Sequence, residues 1–168
     1  WRPTLVGMSS SCIAFIGGGN MAAAILGGLL RHGAAAESFI VIEPFEPQRA
    51  RLRADLGIAA LPAADASLAR ASTVVWAVKP QMFAQAAAPC AAQVSGALQL
   101  SIMAGIRSDA IVAKTGSARV VRSMPNTPAL IGRGIAALFA RPGVSATERA
   151  EVERVLAPTG STLWVERE

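Results

Sequence analysis

The chain has 168 residues, of which 52% are apolar and 16% charged, and its net charge is +5. This length suits one hydrophobic core, and this composition excludes an intrinsically disordered protein. The positive charge is spread thinly and aromatic residues make up 5%, so no nucleic-acid-binding surface is expected. Cys12 and Cys90 lie in apolar runs without metal or redox spacing. They are predicted to be reduced core thiols, and no metal site is expected.

Residues 1–10 fit no structural pattern. The segment WRPTLVG stands ahead of Met8, which we interpret as the natural start. Residues 1–10 are therefore predicted to be a disordered or added extension, and one folded domain is predicted at 11–168.

The segment from Cys12 to Leu30 carries no charge and invites a membrane interpretation. Its centre, GGGN at 17–20, argues against a spanning helix, because each glycine costs about 1 kcal/mol of helix propensity relative to alanine. The first part is a short apolar run typical of a buried strand. Apolar residues at helical spacing follow at Met21, Ile25, Leu26 and Leu29. We predict a strand, a glycine turn and a helix in a cytoplasmic protein without membrane contact.

Apolar segments typical of buried strands alternate with helical segments along the rest of the chain. Strands are predicted at 12–16, 38–44, 72–78, 98–103, 118–124, 134–140 and 161–166. Helices are predicted at 21–30, 47–57, 81–94, 107–116 and 145–160, with Ser108 capping the fourth and a Ser145–Glu148 capping box opening the fifth. The alternation predicts an α/β fold with a doubly wound, mainly parallel, Rossmann-like sheet.

The first turn, Gly17-Gly18-Gly19-Asn20-Met21-Ala22, has the pattern G-x-G-x-x-A directly after a buried strand. In this pattern the first glycine makes the tight turn and the second lets a pyrophosphate approach the backbone. The small last residue holds the helix close to the sheet, and the helix N-terminus favours phosphate charge. The turn predicts a dinucleotide site.

Glu43 lies 24 residues beyond Gly19, at the end of the second predicted strand. An acidic residue there binds the adenosine ribose in dinucleotide-binding folds and favours NAD(H). Arg49 and Arg51 would still reach a 2′-phosphate, and Glu43 alone would also fit a solvated turn. Both NADP(H) and NAD(H) therefore stay open as cofactors.

Three later strand ends also carry site candidates. AVKPQ at 77–81 ends the third strand, where Lys79 would contact a phosphate, a ribose or a substrate carboxylate, or be a solvated loop lysine. SIMAG at 101–105 brings small residues to the next strand end. RSMPNTPALIGRG at 122–134 holds Asn126 and Thr127 between two prolines. Prolines restrict such a turn and make it suitable as a site wall.

Together these segments resemble the N-terminal domain of the pyrroline-5-carboxylate reductase family, from about Ser11 to the end of the chain. The motifs are IAFIGGGNMAAAILGGLL, VVWAVKPQ, SIMAGI and RVVRSMPNTPALIGRG, in the family's order and spacing. The resemblance implies reduction of 1-pyrroline-5-carboxylate to proline with NAD(P)H, the last step of proline synthesis. It implies cofactor contacts at Ile16, Gly17, Gly18, Gly19, Asn20, Met21, Ala77, Val78, Lys79, Pro80, Ala104 and Asn126. Lys79, Asn126 and Thr127 are the candidates on the substrate side.

The sequence departs from the family in three respects. The family's second, helical domain, which carries a Ser-Gly-Ser-Gly-Pro segment and makes the dimer and much of the imine pocket, would begin after Glu168. Many members carry Ser or Asn with Arg where Glu43-Pro44 stands, which suits NADPH. An Asn near the cofactor in some members is replaced by Ala64. A homo-oligomer is expected of the full-length protein, and this chain alone is expected to bind dinucleotide with little turnover. The alternatives are a related deazaflavin-dependent NADP reductase and a dinucleotide sensor without chemistry.

Overall fold

The computed structural model describes residues 12–168, and the extension predicted at 1–10 lies outside them. Seven strands are β1 Cys12–Ile16, β2 Phe39–Ile42, β3 Ala71–Trp76, β4 Leu98–Ser101, β5 Val120–Met124, β6 Gly134–Ala140 and β7 Gly160–Trp164. Six helices are α1 Asn20–Arg31, α2 Glu46–Leu56, α3 Phe83–Ala87, α4 Ala91–Val94, α5 Ser108–Thr115 and α6 Ala146–Leu156. Single 3-10 turns are Ala36–Ser38, Ala66–Arg70, Pro80–Met82, Thr127–Ile131 and Ala157–Thr159. None of the helices within residues 12–168 combines the length and the apolar composition that a membrane-spanning helix requires.

The strands form one sheet in the order β2-β1-β3-β4-β5-β6-β7. All neighbouring pairs are parallel except β5 and β6, which are antiparallel. The carboxyl ends of β1 to β5 therefore share one edge of the sheet. The chain order reverses at β1, between β2 and β3, which is the point where such sheets bind ligands.

Both faces of the sheet are covered. One core contains apolar side chains of α1, α2 and α6 against the sheet, and the other contains those of α3, α4 and α5. The doubly wound, mainly parallel fold is thereby confirmed. Cys12 and Cys90 are free and buried in the second core, as predicted, and burial raises the pKa of both thiols.

Helix α1 is packed closely against the far end of the chain. It lies on the 3-10 turn Ala157–Thr159, on α2 and on α6. A Cβ atom at Gly28 would stand 2.1 Å from the Cβ of Pro158. Only glycine permits this approach. Position 28 therefore requires glycine because of the packing of α1 against Pro158.

The prediction of a single helix at 81–94 is wrong. The segment forms a 3-10 turn and two short helices, α3 and α4, with Pro89 between them. Proline has no N–H to donate, and its ring clashes with the carbonyl of the preceding turn. The break at Pro89 therefore replaces one long helix by two short ones.

The prediction that Ser108 caps α5 is wrong. The cap position is Arg107, without a side-chain hydrogen bond. The N–H of Ser108 donates to the Glu168 carboxylate, as does its hydroxyl, at 3.1 Å. A distant carboxylate, which Arg122 also contacts at 2.8 Å, thus satisfies the start of this helix. The capping box of Ser145 and Glu148 on α6 is confirmed.

A buried polar pair joins the third and fourth strands. Trp76 is fully buried, and its indole N–H donates to Gln99 Oε1 at 2.8 Å. The amide nitrogen of Gln99 donates to the carbonyls of Val94, at 2.8 Å, and Ala97, at 3.0 Å. Gln99 thereby fixes the side chain at the end of β3, immediately before the segment that enters the site.

Gln99→Leu should lower the free energy of unfolding by about 2 kcal/mol or more, because a buried N–H and two carbonyls would lose their partner. Urea unfolding would measure the change. Gln81→Leu, at an exposed glutamine, is the control and should shift stability by about 0.5 kcal/mol or less. Equal effects of the two substitutions would contradict the role assigned to the buried pair.

Glu148→Ala should lower stability by about 1 kcal/mol at neutral pH, or about 2–4 °C in Tm, because the capping box opens. Burial raises the pKa of Glu148, but hydrogen bonds from Ser145 and Arg119 and the charge of Arg119 leave it below its ordinary value of 4.5. The contribution of the charged form is therefore present above pH 4.5 and is lost as pH falls through the lower folded pKa. Thermal unfolding across pH should show the gap to wild type narrowing in acid, whereas Glu166→Ala should leave Tm nearly unchanged.

Candidate dinucleotide-binding site

A cleft of about 460 Å³ opens at the carboxyl ends of β1, β2 and β3. This is within the size range of small-molecule and cofactor sites. Of the predicted site residues, it is lined by Ile16, Gly17, Gly19, Glu43, Ala77, Val78 and Lys79. The structure thus brings residues from three separate predicted motifs to one place.

The glycine turn is fixed by backbone contacts with the two neighbouring strand ends. The N–H of Gly17 donates to the carbonyl of Ile42 at 2.9 Å, and that of Ala77 donates to the carbonyl of Ile16 at 2.8 Å. Gly17 has φ +100°, and a Cβ there would lie 2.6 Å from the carbonyl oxygen of Ala77. Residue 17 must therefore be glycine for both conformational and steric reasons.

The N-terminus of α1 is open toward the cleft. Gly19 is its cap residue, no side chain of the described residues caps it, and its first turn contains no acidic residue. A Cβ at Gly19 would meet nothing within 4 Å. Free helix N–H groups beside an exposed glycine form an anion site. The turn therefore fits the pyrophosphate of a dinucleotide.

The Glu43 carboxylate links two turns at the wall of the cleft. Its Oε2 accepts the N–H of Gly18, and its Oε1 accepts the N–H of Phe45, both at 2.9 Å. Gly18 itself is buried, and a Cβ there would meet Leu52 Cδ1 at 2.6 Å. Glu43 is therefore an ordered part of the glycine turn rather than a freely solvated carboxylate.

Two side chains of α2 hold the same region. Gln48 Nε2 donates to the carbonyl of Gly18 at 2.5 Å. Arg49 donates from one guanidinium nitrogen to the carbonyls of Glu43, at 2.9 Å, and Pro44, at 2.6 Å. Gln48 was not predicted as a site residue, because a glutamine in the first turn of a helix carries no signal of a contact 30 residues away.

The third strand supplies the opposite wall. Ala77 and Val78 line the cleft, and the exposed Lys79 follows them at the start of the 3-10 turn Pro80–Met82. Lys79 forms no ion pair with any residue of the described range. Its ammonium group is thus available to a ligand at the cleft.

The remaining predicted residues do not line this cleft. Asn20 and Met21 begin α1, and Met21 packs against the core. Ala104 is exposed in the turn after β4. Asn126 and Thr127 lie beyond the end of β5, where Asn126 Oδ1 accepts the N–H of Ile135 at 3.0 Å. These last residues follow the carboxyl end of β5, at the same edge of the sheet as the cleft.

Two further segments line the cleft, and of their residues only Ala64 was connected with the cofactor in the sequence, through the resemblance. Leu61 pairs with the end of β2 through two hydrogen bonds. Its N–H donates to the carbonyl of Val41, and its carbonyl accepts a hydrogen bond from the N–H of Glu43, both at 2.8 Å. This pairing brings the following residues Pro62, Ala63 and Ala64 into the cleft. The other segment comprises Met82, Gln85, Ala86, Pro89 and Cys90 around the broken helix. Within residues 12–168, no three His, Cys, Asp or Glu side chains are grouped as a metal site would require.

Substitution at two glycines of the same turn should separate fold from site. Gly17→Ala should lower the free energy of unfolding by about 1–3 kcal/mol, because φ is positive and Cβ meets the Ala77 carbonyl. Gly19→Ala should change it by less than about 1 kcal/mol, because alanine is the poorer N-cap residue but also lowers the entropy of the unfolded chain, φ is −71° and the space is open. Urea unfolding of both variants measures the difference, and comparable losses would contradict this account of the turn.

The fold and the cleft together define a Rossmann-type NAD(P)-binding domain. Residues 12–105 match the family model described as NADP oxidoreductase, coenzyme F420-dependent. The chain belongs to that family.

Known proteins resemble the chain over nearly its whole length. It is 44% identical over 163 residues to a pyrroline-5-carboxylate reductase of Haemophilus influenzae, covering 96% of this chain and 60% of that protein. The corresponding protein of Pseudomonas aeruginosa is 39% identical over 165 residues, with the same coverage. The structure of a pyrroline-5-carboxylate reductase from Coxiella burnetii superposes with a TM-score of 0.87 at 30% identity, covering 95% of this chain and 60% of that one. The predicted resemblance is confirmed, and the chain spans about 60% of the length of these relatives.

Proposed function

We propose that the chain is the cofactor-binding part of a reductase that converts 1-pyrroline-5-carboxylate to proline with NADPH or NADH. The observation that carries the proposal is the open N-terminus of α1 at Gly19, inside a cleft that Glu43 and Lys79 also line. The relatives at 44% and 39% identity, both named pyrroline-5-carboxylate reductase, support the choice of substrate.

The reaction needs little acid–base chemistry from the protein. When bound, a reduced dinucleotide would supply a hydride to the C=N carbon of the imine, whose protonated ring nitrogen would become the secondary amine. The main task of the protein is to hold two reactants in register, which by itself accounts for large accelerations. Side chains that position ligands are therefore more important here than a general acid.

The residues of the carboxyl edge have distinct proposed tasks. The turn from Ile16 to Met21 holds the pyrophosphate, and Glu43 meets the adenosine ribose. Lys79 contacts a cofactor phosphate or the carboxylate of the substrate. The small, exposed Ala104 leaves room for the nicotinamide ring, and the polar turn at Asn126 and Thr127 faces the imino acid.

The resemblance also implies what lies outside these 168 residues. We propose that a helical domain completes the imine pocket and forms a homo-oligomer, in keeping with relatives that are longer than this chain. We propose a cytoplasmic location together with this role. The 168-residue chain is expected to bind dinucleotide and to show little or no turnover.

A second candidate is a deazaflavin-dependent NADP reductase, which the description of the matching family favours. The segments AVKP at 77–80 and MPNTP at 124–128 weigh toward the imine reductase. A dinucleotide sensor without chemistry would use the same cleft and is distinguished by activity of the longer protein.

Isothermal titration of the 168-residue chain with NADH and with NADPH should show binding of at least one. Gly19→Ala should weaken that binding by about tenfold, because the added methyl occupies the space beside the helix N-terminus. Gly96→Ala is the matched control: its Cβ also meets nothing within 4 Å, and it lies before β4, at the opposite edge of the sheet.

Absence of binding by both dinucleotides would contradict the proposed function. Equal losses in the two glycine variants would contradict the assignment of the phosphate site. Mixing the chain with dinucleotide and 1-pyrroline-5-carboxylate tests the second part: full turnover would show that no further domain is required.

A further inference from the structure

The charge facing the adenosine end of the cleft is negative and fixed in position. Glu43 is the residue directly after β2, and its two carboxylate oxygens accept N–H groups from Gly18 and Phe45 at 2.9 Å. These two bonds hold the carboxylate beside the glycine turn, at the wall of the cleft. Each oxygen keeps a further lone pair, so the group can still accept hydrogen bonds from a ligand.

The arginines of α2, the helix that follows this carboxylate in the chain, lie outside the cleft. Arg49 donates to the carbonyls of Glu43 and Pro44 inside the turn. Arg51 pairs with Asp55 at 3.5 Å on the exposed side of α2. Arg53, with Arg49, lines a separate depression between α2 and residues 59–60. None of the three lines the dinucleotide cleft.

The cation that does line the cleft stands on the other side. Lys79 follows β3, and the sheet order places β1 between β2 and β3. Two strand spacings separate the ends of β2 and β3, roughly 10 Å. Lys79 is therefore suited to the middle of a dinucleotide and does not neutralise Glu43.

In this fold the adenosine ribose lies at the end of the second strand. A carboxylate there accepts a hydrogen bond from the 2′-hydroxyl of NADH. It repels the 2′-phosphate of NADPH, which would carry close to two negative charges. On this geometry we infer that Glu43 makes the chain select NADH over NADPH. The inference rests on the proposed function, and it departs from the NADP named in the family description.

Calorimetric titration of wild type, Glu43→Gln and Glu46→Gln with both dinucleotides tests the inference. Wild type should bind NADH about tenfold or more tighter than NADPH. Glu43→Gln removes the charge, retains the length of the side chain and should reduce this ratio to about threefold or less, chiefly by tightening NADPH. Glu46 is the control, because it is an exposed carboxylate three residues away that does not line the cleft. Glu46→Gln should leave the ratio within about twofold, since exposed charges are screened.

Salt provides a second readout. The wild-type ratio should fall as ionic strength rises, because added ions screen the repulsion of the 2′-phosphate. Thermal unfolding of each variant verifies that folded protein is compared.

The outcomes are distinct. Tighter binding of NADPH than NADH by wild type would overturn this inference while the proposed function stands. Equal weakening of both dinucleotides in Glu43→Gln, with an unchanged ratio, would overturn it as well, because Glu43 would then only hold the glycine turn. Failure of both dinucleotides to bind would overturn this inference and the proposed function together.

Discussion

The close approach of the first turn to the third strand is the constraint on which the site depends. The Cα of Gly17 lies so near the carbonyl of Ala77 that no Cβ fits between them. One backbone hydrogen bond connects this turn to Ile42 on one side, and another joins Ala77 to Ile16 on the other. Three strand ends are thereby held together, and α1 starts where its N-terminus opens into the cleft between them.

The groups that face the cleft are mostly backbone and small side chains. Glu43 and Lys79 supply opposite charges on its two sides, with β1 between them. Such a surface recognises a long, partly anionic ligand by shape and by hydrogen bonds, and the pKa of its thiol, Cys90, is raised by burial. Under the proposed function this is sufficient, because the reactive bond belongs to the cofactor and the protein controls distance and orientation.

The sequence allowed the sheet and the first turn to be predicted, because local patterns determine them. The buried run Cys12–Ile16 and the glycines that follow need no knowledge of distant residues. The contacts that could not be predicted all join residues far apart in the chain. Gln48 reaches the Gly18 carbonyl, and Glu168 rather than a local side chain satisfies the start of α5 at Ser108. Likewise, pairing of Leu61 with β2 brings residues 62–64 into the cleft, of which the sequence indicated only Ala64, through the resemblance. The broken helix at Pro89 was predictable in principle, but the alanine-rich context outweighed one proline.

The packing of α1 at Gly28 has a mechanical consequence. The backbone of α1 packs directly on Pro158, without an intervening side chain whose rotation would allow movement. The helix therefore cannot slide or tilt without displacing the connection between α6 and β7. Its opposite end carries the N–H groups of the anion site. Rigid contact at the other side of the domain therefore fixes the position of that site. The anion site is preorganised, so that a ligand binds without having to rearrange it.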